Sequence, residues 1–103
     1  MSRPKVKQLV RQYRHLLSQN GFLISSVFLF GSYVNGNPTR WSDIDVAIVA
    51  KKMPNGWWRS RQVSSRLSLQ VDKRLEPHIF SVKDFANEAD PLVYEIKKTG
   101  IKI

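Results

Sequence analysis

No cysteine occurs among these 103 residues, which excludes disulfide staples and thiolate metal sites without selecting a redox compartment. Acid is missing from the first 42 residues. Arg3, Lys5, Lys7, Arg11, Arg14 and Arg40 all precede the first carboxylate, Asp43. Long hydrophobic runs are missing too. The longest, FLISSVFLF (22–30), holds two serines and is too short to span a bilayer as a helix, so no membrane partner is expected. The basic N-terminus passes directly into an amphipathic pattern rather than a signal-type apolar segment, which makes the cytoplasm the default location. Internal repeats and low-complexity stretches are absent.

What is present is a strong basic excess. Seventeen Lys and Arg against eight Asp and Glu give a formal charge of +9. Such a balance suits a polyanionic partner (nucleic acid, nucleotide phosphate or an acidic protein surface), and it also serves plain solubility. Hydrophobic residues at 42% and charged residues at 24% are ordinary for a globular protein. The length suits one domain over 1–103 with a modest core.

The segment RPKVKQLVRQYRHLLSQN (3–20) places Val6, Leu9, Val10, Tyr13, Leu16 and Leu17 at helical spacing, with Pro4 in the first turn and Gly21 as a stop. FLISSVFLF, bounded by Gly21 and Gly31, predicts a buried strand. A short turn after Ser32 and a loop then lead to a second strand, DIDVAIVA (43–50). Residues 58–71 fit a helix with Val63, Leu67 and Leu69 or Val71 inward. LEPHIF (75–80) fits a third strand near a sheet edge, because Pro77 cannot donate to a ladder. Ser81 and Pro91 open two short helices, Gly100 stops the second, and Ile101-Lys102-Ile103 reads as a tail. Strands covered by helices give an α/β (α+β) domain, a small mixed sheet with helices packed on one side.

Alternation along a strand puts Asp43 and Asp45 on one face while Ile44 and Val46 enter the core. Two carboxylates held this way repel one another unless a cation or solvent relieves them. A pair of Mg²⁺ ions would bind oxygen ligands of this kind and complete their shells with water and phosphate oxygens. Gly31 lets a phosphate approach the backbone, and Ser32 adds a hydroxyl beside it. A DxD alone often only caps a turn. A Gly-Ser ending an apolar strand, ten residues, and then Asp-x-Asp entering another apolar strand is far more specific.

Gly31-Ser32, that interval and Asp43-Ile44-Asp45 resemble the signature of the DNA polymerase beta-like nucleotidyltransferase superfamily. At this length the chain is similar to its minimal members. The resemblance implies an Mg²⁺-dependent transfer of a nucleoside monophosphate, AMP from ATP, to a hydroxyl. It makes Asp43 and Asp45 metal ligands and takes a third carboxylate from the next strand, where Glu76 is preferred over Asp72. Gly31 and Ser32 would position the triphosphate. Relatives carry an Ala-Arg-Gly-like stretch where this chain has Val34-Asn35-Gly36, so Arg40 is the candidate to replace the missing charge. Minimal members are frequently antitoxins that pair with a helical HEPN ribonuclease toxin, and some transfer AMP to its tyrosine. A homodimer and a hetero-oligomer are both compatible with that reading.

Two other classes fit the same residues: a binding module that silences a partner by occlusion, and a basic nucleic-acid binder with strongly salt-dependent affinity. His78 reads as an ordinary strand histidine, two places from Glu76 and able to share its face. His15 sits on the basic side of the first helix. Trp57 and Trp58, among Arg59 and Arg61, either stack on a base or partner or cap the core.

Overall fold

The computed structural model describes residues 1–103. Helix α1 (Arg3–Gln19) buries Val6, Leu9, Val10, Tyr13 and Leu17, the stripe that the spacing anticipates. Ser2 caps it by accepting the Lys5 N–H, and Asn20 closes it ahead of Gly21 at φ 91°. Strand β1 (Leu23–Phe30) follows, then a single turn, α2 (Ser32–Asn35), and strand β2 (Ile44–Lys52). Helix α3 (Gly56–Val71) crosses to β3 (Leu75–Ser81); α4 (Val82–Phe85), α5 (Pro91–Thr99) and β4 (Ile101–Lys102) complete the chain.

The four strands lie in the order β3-β2-β1-β4, with β3 at the edge as Pro77 anticipates. β1 runs antiparallel to β2 and to β4, whereas β3 is parallel to β2 across the α3 connection, so the sheet is mixed. Parallel pairing demands such a crossover, since a tight hairpin cannot reverse the chain twice.

The two long helices pack on one side of the sheet. There Ile44, Val46 and Ile48 of β2 meet Val6, Val10, Tyr13 and Leu17 of α1 and Leu67 of α3. The short C-terminal helices take the opposite face, where Ala47 and Val49 meet Phe85, Val93 and Ile96. Cover on both sides follows from β2 itself, which is buried at every position from Val46 to Ala50 and so needs apolar neighbours above and below.

Helices therefore cover both faces and not the one side expected, since β2 is apolar on both; one further expectation changes and two open choices close. The Ile101-Lys102-Ile103 tail forms β4 against Phe28 and Leu29, and the Ile103 N–H donates to the Val27 carbonyl. Gly100 permits this because a Cβ there would strike the Ile96 carbonyl oxygen and crowd that of Leu29. Of the two inward candidates at the end of α3, Val71 packs against the core and Leu69 stays in solvent. Trp57 and Trp58 do not cap the core: they are 42% and 70% exposed. No helix is long and apolar enough to cross a membrane.

The Tyr13 hydroxyl ties α1 to α3 by donating to the Ser64 carbonyl at 2.8 Å. Burial pushes this phenol well above its ordinary pKa, so it stays a donor at any working pH. Tyr13→Phe is expected to cost about 1 kcal/mol, read as a lower denaturant midpoint at unchanged slope.

Candidate active site

The site grows from the register of β2. Asp43 is the last residue before the strand, and the Ile44 N–H donates to the Arg74 carbonyl at 2.7 Å, pinning the start of β2 to the chain entering β3. In-register parallel pairing then sets Asp45 opposite Glu76 and Ala47 opposite His78. On the other side, Asp45 faces Phe30, the last residue of β1. Since side chains alternate, Asp45, Glu76 and His78 project from the face opposite Ile44 and Val46.

Gly31 completes the enclosure. Its φ is 77°, and a Cβ on it would run into Oδ2 of Asp45. Only glycine lets the Asp45 carboxylate lie against the bend that ends β1. Ser32 opens α2 directly after this bend, and the Val34 and Asn35 N–H groups both return to the Gly31 carbonyl.

Three carboxyl groups converge here. Glu76 is pushed above its ordinary value, first by burial, then by a hydrogen bond with Asp43, and then by the charges of Asp45 and Asp43; the His78 ring opposes the shift. Of the three acids that the sequence singles out, Asp45 and Glu76 are paired in register, and Asp43, one residue ahead of β2, acts on Glu76. Asp72, the alternative third acid, is committed elsewhere. Its Oδ1 accepts from the Arg74 Nε at 3.0 Å and backbone N–H at 2.8 Å, while Oδ2 accepts from Nη2 at 2.9 Å.

That fork holds the Asp72 carboxyl below the usual carboxylate range, chiefly through the Arg74 hydrogen bond. A depressed acid contributes stability above its unfolded pKa and loses it as pH falls through the folded one. Asp72→Asn is therefore expected to melt lower than the parent at pH 7. The gap should narrow below about pH 4 and vanish once both states are protonated, as thermal melts across pH would show.

Arg40 does not contact the acids directly. Its guanidinium lies 4.8 Å from the Trp41 ring centre, and with Trp41, Asp43, Lys73 and Arg74 it lines an open cleft of roughly 440 Å³. It is therefore placed to add positive charge beside Asp43. A second cleft, of about 370 Å³, runs along β3 between Trp57, Arg61 and Ser64 of α3 and Asp84, Asn87 and Asp90, and reaches His78. The Arg61 guanidinium lies over the Trp57 ring, 5.7 Å from its centre.

His78 is the residue that the sequence reading undervalued. Its Nε2 lies 3.5 Å from Asp45 Oδ1 and 3.9 Å from Glu76 Oε1. That nitrogen is sealed from solvent and has no hydrogen-bond partner. One signal was available: His78 follows Glu76 at the two-residue strand repeat. What the repeat could not supply was the neighbouring strand.

Comparison with known proteins places this geometry. MJ0141 of Methanocaldococcus jannaschii, assigned by name as a protein adenylyltransferase, is 37% identical over 59 residues, covering 55% of this chain and 60% of that protein. Among solved structures, a toxin–antitoxin complex with AMP-PNP contains a chain that superposes with a TM-score of 0.65 at 22% identity, over 89% of this chain and 69% of the other. A nucleotidyltransferase from Sulfolobus solfataricus gives 0.63 at 17% identity, over 95% and 78%. The family model "Polymerase beta, Nucleotidyltransferase" matches residues 11–103, nearly the whole chain, and so this chain belongs to that family.

Proposed function

We propose that the chain is a divalent-metal-dependent nucleotidyltransferase that moves AMP from ATP to a hydroxyl of a partner protein. The observation that carries this reading is the meeting of Asp45, Glu76 and His78 in one cluster, with Asp45 against the Gly31 bend and Asp43 near enough to act on Glu76. Crowded carboxylates of this kind, with a buried unpartnered nitrogen of His78 beside them, fit a metal: the donor atoms of Asp45, Glu76 and His78 all lie within 4.8 Å of one another. Asp43, Asp45 and Glu76 would hold two Mg²⁺ ions, which supply Lewis acidity at the α-phosphate and offset the charge of the leaving group.

The protein's own part is positioning. Gly31 leaves the backbone open to the β- and γ-phosphates, Ser32 offers its hydroxyl and N–H, and Arg40 adds positive charge at the rim. The carboxylates accept the proton of the incoming hydroxyl as its oxygen bonds to the α-phosphorus. The bond to the bridging oxygen breaks, and pyrophosphate leaves.

The acceptor we infer is a tyrosine of a helical HEPN-type ribonuclease toxin, so that the chain acts as an antitoxin by modifying its partner. The adenylyltransferase name of the M. jannaschii relative and the toxin–antitoxin context of the structural neighbour support this choice. Incubating the purified chain with [α-³²P]ATP, Mg²⁺ and the product of the adjacent gene should label that product on tyrosine. Labelling that persists undiminished in the double variant Asp43→Asn, Asp45→Asn would exclude the mechanism.

A further inference from the structure

Resting on the metal-dependent reading above, we propose that Nε2 of His78 is itself a ligand of the ion held by Asp45 and Glu76, and that this nitrogen tunes the site toward Mn²⁺ over Mg²⁺. The placement is architectural. His78 follows Glu76 by two residues on β3 and pairs with Ala47 of β2, two residues beyond Asp45 on the same face. The Phe30 ring meets the imidazole edge-on, with centres 5.2 Å apart and planes at 61°, and so fixes the plane in which Nε2 is offered.

Distances favour shared coordination. With ion–donor bonds of about 2.1 Å, octahedral neighbours sit about 3.0 Å apart and opposite donors about 4.2 Å. Nε2 stands 3.5 Å from Asp45 Oδ1 and 3.9 Å from Glu76 Oε1, between those limits, so small side-chain rotations around a common ion suffice. The nitrogen is also buried without a partner, an arrangement that ordinary strand histidines avoid. An ion would satisfy it.

Ligand chemistry sets the preference. Mg²⁺ demands oxygen and gives up water reluctantly, whereas Mn²⁺, which shares the liking for carboxylates, is a transition ion and accepts an imidazole nitrogen more readily. Two carboxylates and one imidazole make a mixed donor set in which Mn²⁺ gains from the nitrogen and Mg²⁺ does not.

The test uses the full chain, Mn²⁺ and inorganic tripolyphosphate, which brings no nitrogen of its own. Bound Mn²⁺ should show directly coordinated ¹⁴N in pulsed electron paramagnetic resonance. Uniform [¹⁵N]histidine labelling should convert that signal to ¹⁵N, with no variant required. In His78→Gln, checked for folding by circular dichroism, the signal should disappear. Mn²⁺ affinity should fall by about 10-fold or more while Mg²⁺ affinity, from competition, moves less than about threefold. His15, exposed on α1, remains in that variant and so cannot account for a lost signal. Bound Mn²⁺ with no histidine nitrogen coupling, or an unchanged Mn²⁺ to Mg²⁺ ratio in His78→Gln, overturns this assignment and leaves the proposed transfer standing. Failure of Mn²⁺ to bind at all removes both.

Discussion

Asp45→Asn is expected to lower kcat/KM for nucleotidyl transfer by on the order of 10²–10³ while leaving the fold as stable as before or more so. The two outcomes share one cause. Asp45 sits in register with Glu76, beside Asp43, with Gly31 closing over it. Without a cation these acids crowd one another, and the Glu76 carboxyl is raised first by burial, then by the Asp43 hydrogen bond and by both aspartate charges. Asparagine keeps the shape and removes one charge. Repulsion drops, and so does the capacity to hold metal.

The pH behaviour follows with its sign. Glu76 has its folded pKa raised above the ordinary glutamate range, so ionising it costs the native state more than the unfolded one. The metal-free protein should therefore lose stability as pH rises through that titration. In Asp45→Asn the loss should be shallower, and a ¹³C-detected titration of Glu76 should move back toward the ordinary range. A variant that is both less stable and inactive would mean that Asp45 is a structural acid and not a strained functional one.

Gly31→Ala carries the second large effect. The residue sits at φ 77° and ψ −148°, a backbone region open essentially to glycine alone, and an added methyl collides with Asp45 Oδ2. Alanine must either distort the bend or displace the carboxylate. We expect a stability loss of about 1–3 kcal/mol, read as a lower denaturant midpoint, together with a fall in kcat of about 10²-fold from misplacement at the reacting centre. Activity loss without loss of stability would show that Asp45 had moved and the bend had not. An unaltered kcat would remove Gly31 from the site.

Much of this arrangement could be read before the fold was seen, because it depends on local periodicity. The α1 stripe, the Ser81 cap and the edge position of β3 all follow from spacing and from single residues such as Pro77. The acidic pair was legible for the same reason, as two carboxylates in an apolar run announce themselves. His78 was not. Its importance comes from lying beside Asp45, which the parallel register between β2 and β3 decides across the 16-residue helix α3. Periodicity within a segment cannot fix register between segments. The same limit hid β4, two residues whose strand character exists only because Phe28 and Leu29 leave an edge for them. It also led to the expectation of helices on one side only, since apolar positions such as Val93 and Ile96 fix an inward side for α5 without naming the sheet face it meets.

The bond from the Ile44 N–H to the Arg74 carbonyl sets which residues of β3 turn toward β2: 74, 76, 78 and 80, with Pro77 turned away. The outer rim of the sheet therefore lacks a hydrogen-bond donor midway along its length. A second copy attempting to zip onto that rim would meet a gap, which discourages runaway self-association through the strand that bears Glu76 and His78. Crowding in a cell would then leave this flank of the molecule open to visitors other than itself.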